Sequence, residues 1–109
     1  MVEQSEELNA VFHALADPAR RQILAALREG PKSVGELASP LAMSFAGASK
    51  HIGVLENARL VRRRKRGRSR ICTLRAGQLT AAERWIRTYT DYWNERLDLL
   101  EEAIEEENQ

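Results

Sequence analysis

Between Ser44 and Arg70 the chain reads SFAGASKHIGVLENARLVRRRKRGRSR, a helix-capping serine and small residues followed by cations centred on a glycine. The hydroxyls of Ser44 and Ser49, the Lys50 ammonium, the His51 imidazole and the guanidinium groups beyond them are donors suited to phosphate oxygens and base edges. From residue 50 to residue 75 the cations Lys50, Arg59, Arg62, Arg63, Arg64, Lys65, Arg66, Arg68, Arg70 and Arg75 meet Glu56 alone, although the whole chain carries a formal charge of only +1. Positive charge gathered at one place, rather than spread for solubility, attracts and steers a polyanion. Near the C-terminus Asp91, Glu95, Asp98, Glu101, Glu102, Glu105, Glu106 and Glu107 face only Arg96, so that end should avoid a phosphate backbone.

Other chemistries find little support. His13 and His51 are the only histidines, lie in different segments and have no CxxC or HxxxH partner of the kind a zinc site uses. Cys72 is the single cysteine, which excludes an internal disulfide, and its place beside Leu74 in a strand pattern reads as a packing thiol ahead of a sensor. No nucleophile, base and orienting partner converge, so no enzyme, cofactor or metal is expected. The start MVEQSEELNAVF lacks the pattern of a secretory signal, and no apolar run reaches the roughly 20 residues that span a bilayer. The expectation is a cytoplasmic protein with no membrane partner. At 109 residues it reads as one domain, 1–109, whose modest core makes association with a second copy reasonable.

Periodicity supplies the elements that must position these groups. Leu8, Val11, Phe12 and Leu15 fall on one helical face, and Asp17-Pro18 then caps a second helix running to about Arg28, with Ile23, Leu24 and Leu27 inward. Ser33 and Glu36 form a capping box for a third helix, about 33–40, which Pro40 distorts or ends. Ser44 caps a fourth, about 45–57, in which Ala48, Ile52 and Leu55 face the core and Phe45, Ser49, Lys50 and much of His51 face solvent. A hairpin over 60–74 turns near Arg66-Gly67-Arg68, anchored by Val61, Leu74 and one of Ile71 or Cys72. The last helix, about 80–106, carries Trp85, Ile86, Tyr89, Tyr92, Trp93, Leu97, Leu100 and Ile104. That stripe is too long and too aromatic for one small core, and it predicts a surface shared with another subunit, together with Leu8, Val11 and Phe12 of the first helix.

The fold class expected is therefore mainly α with a small β-hairpin, a helix-turn-helix over 33–57 followed by the hairpin at 60–74 and flanked by N- and C-terminal dimerisation helices. Double-stranded DNA is the expected partner. Phe45 can touch a thymine methyl, or pack in the core; Ser49 can meet a base or a phosphate; Lys50 and His51 read as phosphate contacts. Ser44 serves as an N-cap, a DNA contact or both. Arginines at the hairpin tip can enter a narrow minor groove while Arg62, Arg64 and Lys65 clasp flanking phosphates.

The order of elements resembles the ArsR family of bacterial winged-helix regulators over about residues 8–100, through the DPxRxxIL pattern at Asp17 to Leu24, the S-x-x-x-x-SKH pattern at Ser44 to His51 and the RxG-centred wing. The resemblance implies a winged helix-turn-helix with 60–74 as the wing, in a dimer that usually represses its operator on bacterial chromosomal DNA. It gives recognition-helix roles to Ser44, Phe45, Ser49, Lys50 and His51, and wing roles to Arg66, Arg68 and Arg70. Phe45 stands where the family often has a polar residue. Many such regulators carry an E-L-C-x-C thiolate site on the third helix, but here the stretch is Glu36-Leu37-Ala38-Ser39-Pro40, without donors at Ala38 and Pro40. The alternative Asp/His site on the terminal helices is also missing, because residues 78–109 contain no histidine. An organic effector, an altered protein level or a protein partner that competes for the dimer surface is left as the source of any regulation, and the sequence does not choose among them. A nonspecific architectural DNA-binding protein and a protein-interaction module are the competing functions.

Overall fold

A computed structural model describes residues 2–108. Helix α1 (Val2–Leu15) ends just before Asp17, whose carboxylate accepts from the backbone N–H groups of Ala19 and Arg20 at 2.8 and 3.4 Å and starts α2 (Pro18–Leu27). Partial burial pushes the Asp17 carboxyl up, but the two amides and the neighbouring His51 and Arg20 outweigh it and hold the group below its ordinary range. Helix α3 (Val34–Ala38) opens on the full capping box: Glu36 N–H donates to Ser33 Oγ at 3.1 Å, and Ser33 N–H to Glu36 Oε1 at 2.9 Å. Those bonds favour the charged carboxylate and draw Glu36 below its ordinary range. The third helix is shorter than the expected 33–40. Beyond Ala38 the chain tightens into a 3-10 turn, Ser39–Leu41, because Pro40 cannot donate to a continuing α-helix.

Helix α4 (Phe45–Asn57) closes with a Schellman motif, in which Leu60 N–H reaches Leu55 O and Arg59 N–H reaches Glu56 O, both at 2.9 Å. Arg59 takes the left-handed φ of 61° that glycine usually holds there. Leu55 and Leu60, which flank the motif, are fully buried, so the exit direction of the chain is set by the core. It leads into β2 (Val61–Arg66), which pairs antiparallel with β3 (Ser69–Leu74); Gly67, φ 61°, makes the turn between them. A short strand not anticipated from the sequence, β1 (Lys32–Ser33), pairs with the other edge of β3 opposite Cys72 and Ile71, giving a sheet of order β1-β3-β2.

The core joins Val11 and Ala14 of α1 to Ile23, Leu24 and Leu27 of α2, Val34 and Leu37 of α3, Ile52 and Leu55 of α4, and Val61 and Cys72 of the hairpin. Val11 is 0 % exposed, enclosed by this chain's own core. It therefore does not belong to the dimer face on which the sequence pattern placed it. Helix α5 (Gly77–Glu107) begins ahead of the expected Thr80, because Leu79 packs on the core and the N–H groups of Leu79 and Thr80 both reach Ala76 O. After Ala82 no residue of α5 is buried. The helix projects so far that the radius of gyration is 19.4 Å, against about 13 Å for a compact chain of this length.

Candidate nucleic-acid interface

Ser44 is extended at the N-cap of α4, and its Oγ accepts from Gly47 N–H at 3.0 Å. A Cβ at Gly47 would lie 3.2 Å from that oxygen, so glycine keeps the cap uncrowded. Phe45, the first residue of the helix, is 60 % exposed, which settles it outside the core; Ala46 and Lys50 are exposed with it. The N-terminal half of α4 thus presents Phe45, Ala46 and Lys50 outward, on a helix whose other face carries buried Ala48, Ile52 and Leu55.

Two expected solvent-facing residues are engaged from within. Ser49 is half-buried, and its Oγ accepts from Arg63 Nη1 at 2.6 Å. His51 is half-buried, with Nδ1 3.3 Å from Arg20 Nη1. A guanidinium has no acceptor, so this contact needs a bare Nδ1 and leaves neutral His51 with its proton on Nε2. Arg20 is itself buried, with Nε and Nη2 donating to Ala14 O and His13 O, each at 2.8 Å. It ties the end of α1 to α4.

Pleating sorts the hairpin cations. Counting from buried Val61, the inner face carries Arg63 and Lys65 on β2 with Arg70 and Cys72 on β3, and the outer face Arg62, Arg64 and Arg66 with Ile71 and Thr73. Arg63 turns onto α4: besides Ser49, its Nε and Nη2 donate to Glu56 Oε1 at 3.1 and 2.6 Å. Lys65 stands directly opposite Arg70, a like-charged pair that a counter-anion would relieve. Arg62, Arg64, Lys65, Arg66, Arg68, Arg70 and Lys50 are exposed and form no ion pair among the described residues. The hairpin and the free end of α4 are therefore one continuous cationic surface with Arg63 as its internal brace.

The sequence places Arg63 among the cations and Arg20 within the DPxRxxIL pattern, without a role for either. Both carried a signal. Arg63 is two residues from inward Val61, and Arg20 shares the apolar face of Ile23, Leu24 and Leu27. Cys72 is fully buried, and that burial pushes its thiol up despite nearby Arg63, as befits a packing group. Among the described residues no group of three or more His, Cys, Asp and Glu side chains is placed to hold a metal ion. Ala38 lies in the core and Pro40 in the 3-10 turn.

At the far side, Phe12 meets Trp85 edge-on at 5.5 Å, and Tyr89 follows at 4.9 Å from Trp85. A groove of about 420 Å³ lined by Leu8, Asn9, Phe12 and Trp85 opens there. Trp85, Ile86, Tyr89, Tyr92, Trp93, Leu97, Leu99, Leu100 and Ile104 are each 44–63 % exposed. No helix among the described residues is long and apolar enough to cross a membrane.

The helix-turn-helix domain family matches residues 15–64. The HTH-type transcriptional regulator Rv2034 of Mycobacterium tuberculosis is 41 % identical over 86 residues, 74 % of this chain and 80 % of that protein. The transcriptional repressor SdpR of Bacillus subtilis is 28 % identical over 82 residues, 75 % of this chain and 91 % of that protein. The crystal structure of an ArsR family transcriptional regulator superposes with a TM-score of 0.77 at 41 % identity, covering 83 % of this chain and 93 % of that one.

Proposed function

Since the chain belongs to the ArsR family of winged helix-turn-helix transcriptional regulators and is a DNA-binding regulator, we propose that it acts as a homodimeric repressor of a pseudopalindromic operator. The observation that carries this reading is the joint cationic surface: the free N-terminal half of α4 and the unpaired hairpin cations, braced together by Arg63. Helix α4 enters the major groove, Phe45 meets a thymine methyl, and Ser49 addresses a base edge or phosphate. Ser44 and Lys50 hold phosphates, and His51 offers its Nε2–H from a ring steadied by Arg20. Arg66 and Arg68 at the tip enter a minor groove, while Arg62, Arg64, Lys65 and Arg70 take flanking phosphates.

The exposed stripe of α5, with Leu8 and Phe12, closes against the same face of a second copy and sets two reading helices roughly 34–36 Å apart. Repression follows by blocking promoter access. Zinc, cadmium or arsenite is not the releasing signal, because Ala38 and Pro40 offer no donor atoms and the terminal helix has no histidine. An organic ligand or a protein partner takes that role.

Selection of bound genomic fragments, followed by gel shift and a promoter-reporter assay, tests the proposal. An enriched pseudopalindrome whose occupancy lowers transcription supports it. Binding that ignores sequence and follows salt alone makes the protein an architectural one, and raised transcription makes it an activator.

A further inference from the structure

Among the inward-facing cations of the hairpin, Arg63 alone is bonded to side chains within the described residues, and one of its bonds goes to the reading face. A surface ion pair needs only Glu56, and such pairs contribute little. Here the guanidinium spans Glu56 and Ser49, two turns apart on one face of α4, with Nη1 donating to Ser49 Oγ at 2.6 Å. Gly53 lies between them, where a Cβ would sit 4.0 Å from Arg63 Nη2, so the plane rests against the helix without obstruction. The strand position is fixed from behind, since Arg63 pairs in register with fully buried Cys72.

We propose that Arg63 determines specificity by positioning: its N–H takes one of the two acceptor lone pairs of the Ser49 hydroxyl and turns the hydroxyl proton away from itself, so that Ser49 faces DNA chiefly as a donor. This rests on the reading of α4 as the recognition helix. A free serine hydroxyl both donates and accepts, rotates to suit, and distinguishes bases poorly. With a cation donating to its oxygen, the hydroxyl proton points away from the guanidinium. Ser49 makes no other side-chain hydrogen bond among the described residues. The group then favours acceptors, such as purine N7, guanine O6, thymine O4 or a phosphate oxygen, and disfavours the amino groups of adenine and cytosine. Glu56 supplies the counter-charge that keeps Arg63 in place and so also holds the angle between wing and helix.

The test is selection from a randomised duplex pool by the full chain and by its R63K, E56Q, S49A and S49A/R63K variants, with thermal melts of each. Lysine keeps the charge but cannot span both partners. At one base position R63K and S49A should each lose about tenfold in preference over an amino-bearing base, and the double variant should lose no more than S49A alone. E56Q should lose part of that preference. The dependence of affinity on salt should not change, because Arg63 does not face phosphate. Folded R63K and E56Q that select the wild-type motif, or losses that add in the double variant, would overturn the proposal. If R63K does not fold, E56Q decides by the same criterion. A wild-type chain that enriches no motif overturns the parent reading as well, which separates the two failures.

Discussion

The winged-helix body and the distal part of α5 are built on opposite terms. In the body, the apolar faces of four helices and a hairpin close on one another, and no buried side-chain nitrogen or oxygen among the described residues lacks a partner. Beyond Ala82 no residue of α5 is buried, although Trp85 meets Phe12 edge-on, and the helix carries Trp93, Leu97, Leu100 and Ile104 at the 4-3-4 spacing of a helical seam. A body that is complete alone can present its cations to DNA without deforming. A helix completed by a second copy, as proposed above, would make that presentation depend on assembly. The difference assigns stability to one region and valency to the other, and substitutions in each should fail in different ways.

The largest effect is expected from α5. Trp93→Glu with Leu97→Glu should halve the sedimenting mass and lower operator affinity by roughly a hundredfold to ten-thousandfold, since two linked half-sites are reduced to one. Near-UV and far-UV circular dichroism of the body should persist. A variant that unfolds instead would show that the stripe belongs to the monomer core and would erase the contrast.

Within the body, two kinds of DNA contact should separate. Lys65→Ala and Arg70→Ala should weaken all sequences alike, each reducing the slope of log affinity against log salt by about 0.9. Phe45→Ala should instead change the preference at one base step by about 1–3 kcal/mol, with an unchanged melting temperature because the ring is 60 % exposed. Gel shifts across a salt series, with matched and mismatched duplexes, measure both.

The smallest effects concern how the body is capped. Ser33→Ala should destabilise by about 1 kcal/mol in chemical denaturation, removing the bond that Glu36 N–H donates to Ser33 Oγ while the Ser33 N–H keeps its bond to Glu36. Asp17 and Glu36 have folded pKa values below their unfolded ones, so their contributions are complete above the ordinary carboxylate range and vanish as pH falls through the lowered values. Acid titration followed by circular dichroism should therefore show Asp17→Asn losing stability relative to wild type near neutrality and converging with it in strong acid.

Much of this was legible in the sequence where the cause is local. Asp17, Ser33 and Ser44 act on amides two or three residues away, and Gly67 turns its own hairpin, so each element began or bent close to where the residue type said it would. Where the cause is distant, the reading fell short. The two residues of β1 are a strand only because β3 lies beside them. Val11 has the spacing of an interface residue, and only the packing of α2 and α4 shows it to be core. Ser49 and His51 looked free because nothing nearby in sequence binds them; their partners, Arg63 and Arg20, come from a strand and a helix fourteen and thirty-one residues away. The cationic surface could be located from composition, but its internal order could not.

The most direct test of the central account is sequence selection from a randomised duplex pool by the unmodified chain. The account predicts one enriched motif with two inverted half-sites whose centres lie about 10–10.5 base pairs apart. Enrichment of a single unpaired half-site would contradict the dimer, and recovery of the pool without any enriched sequence would contradict a recognition role for α4.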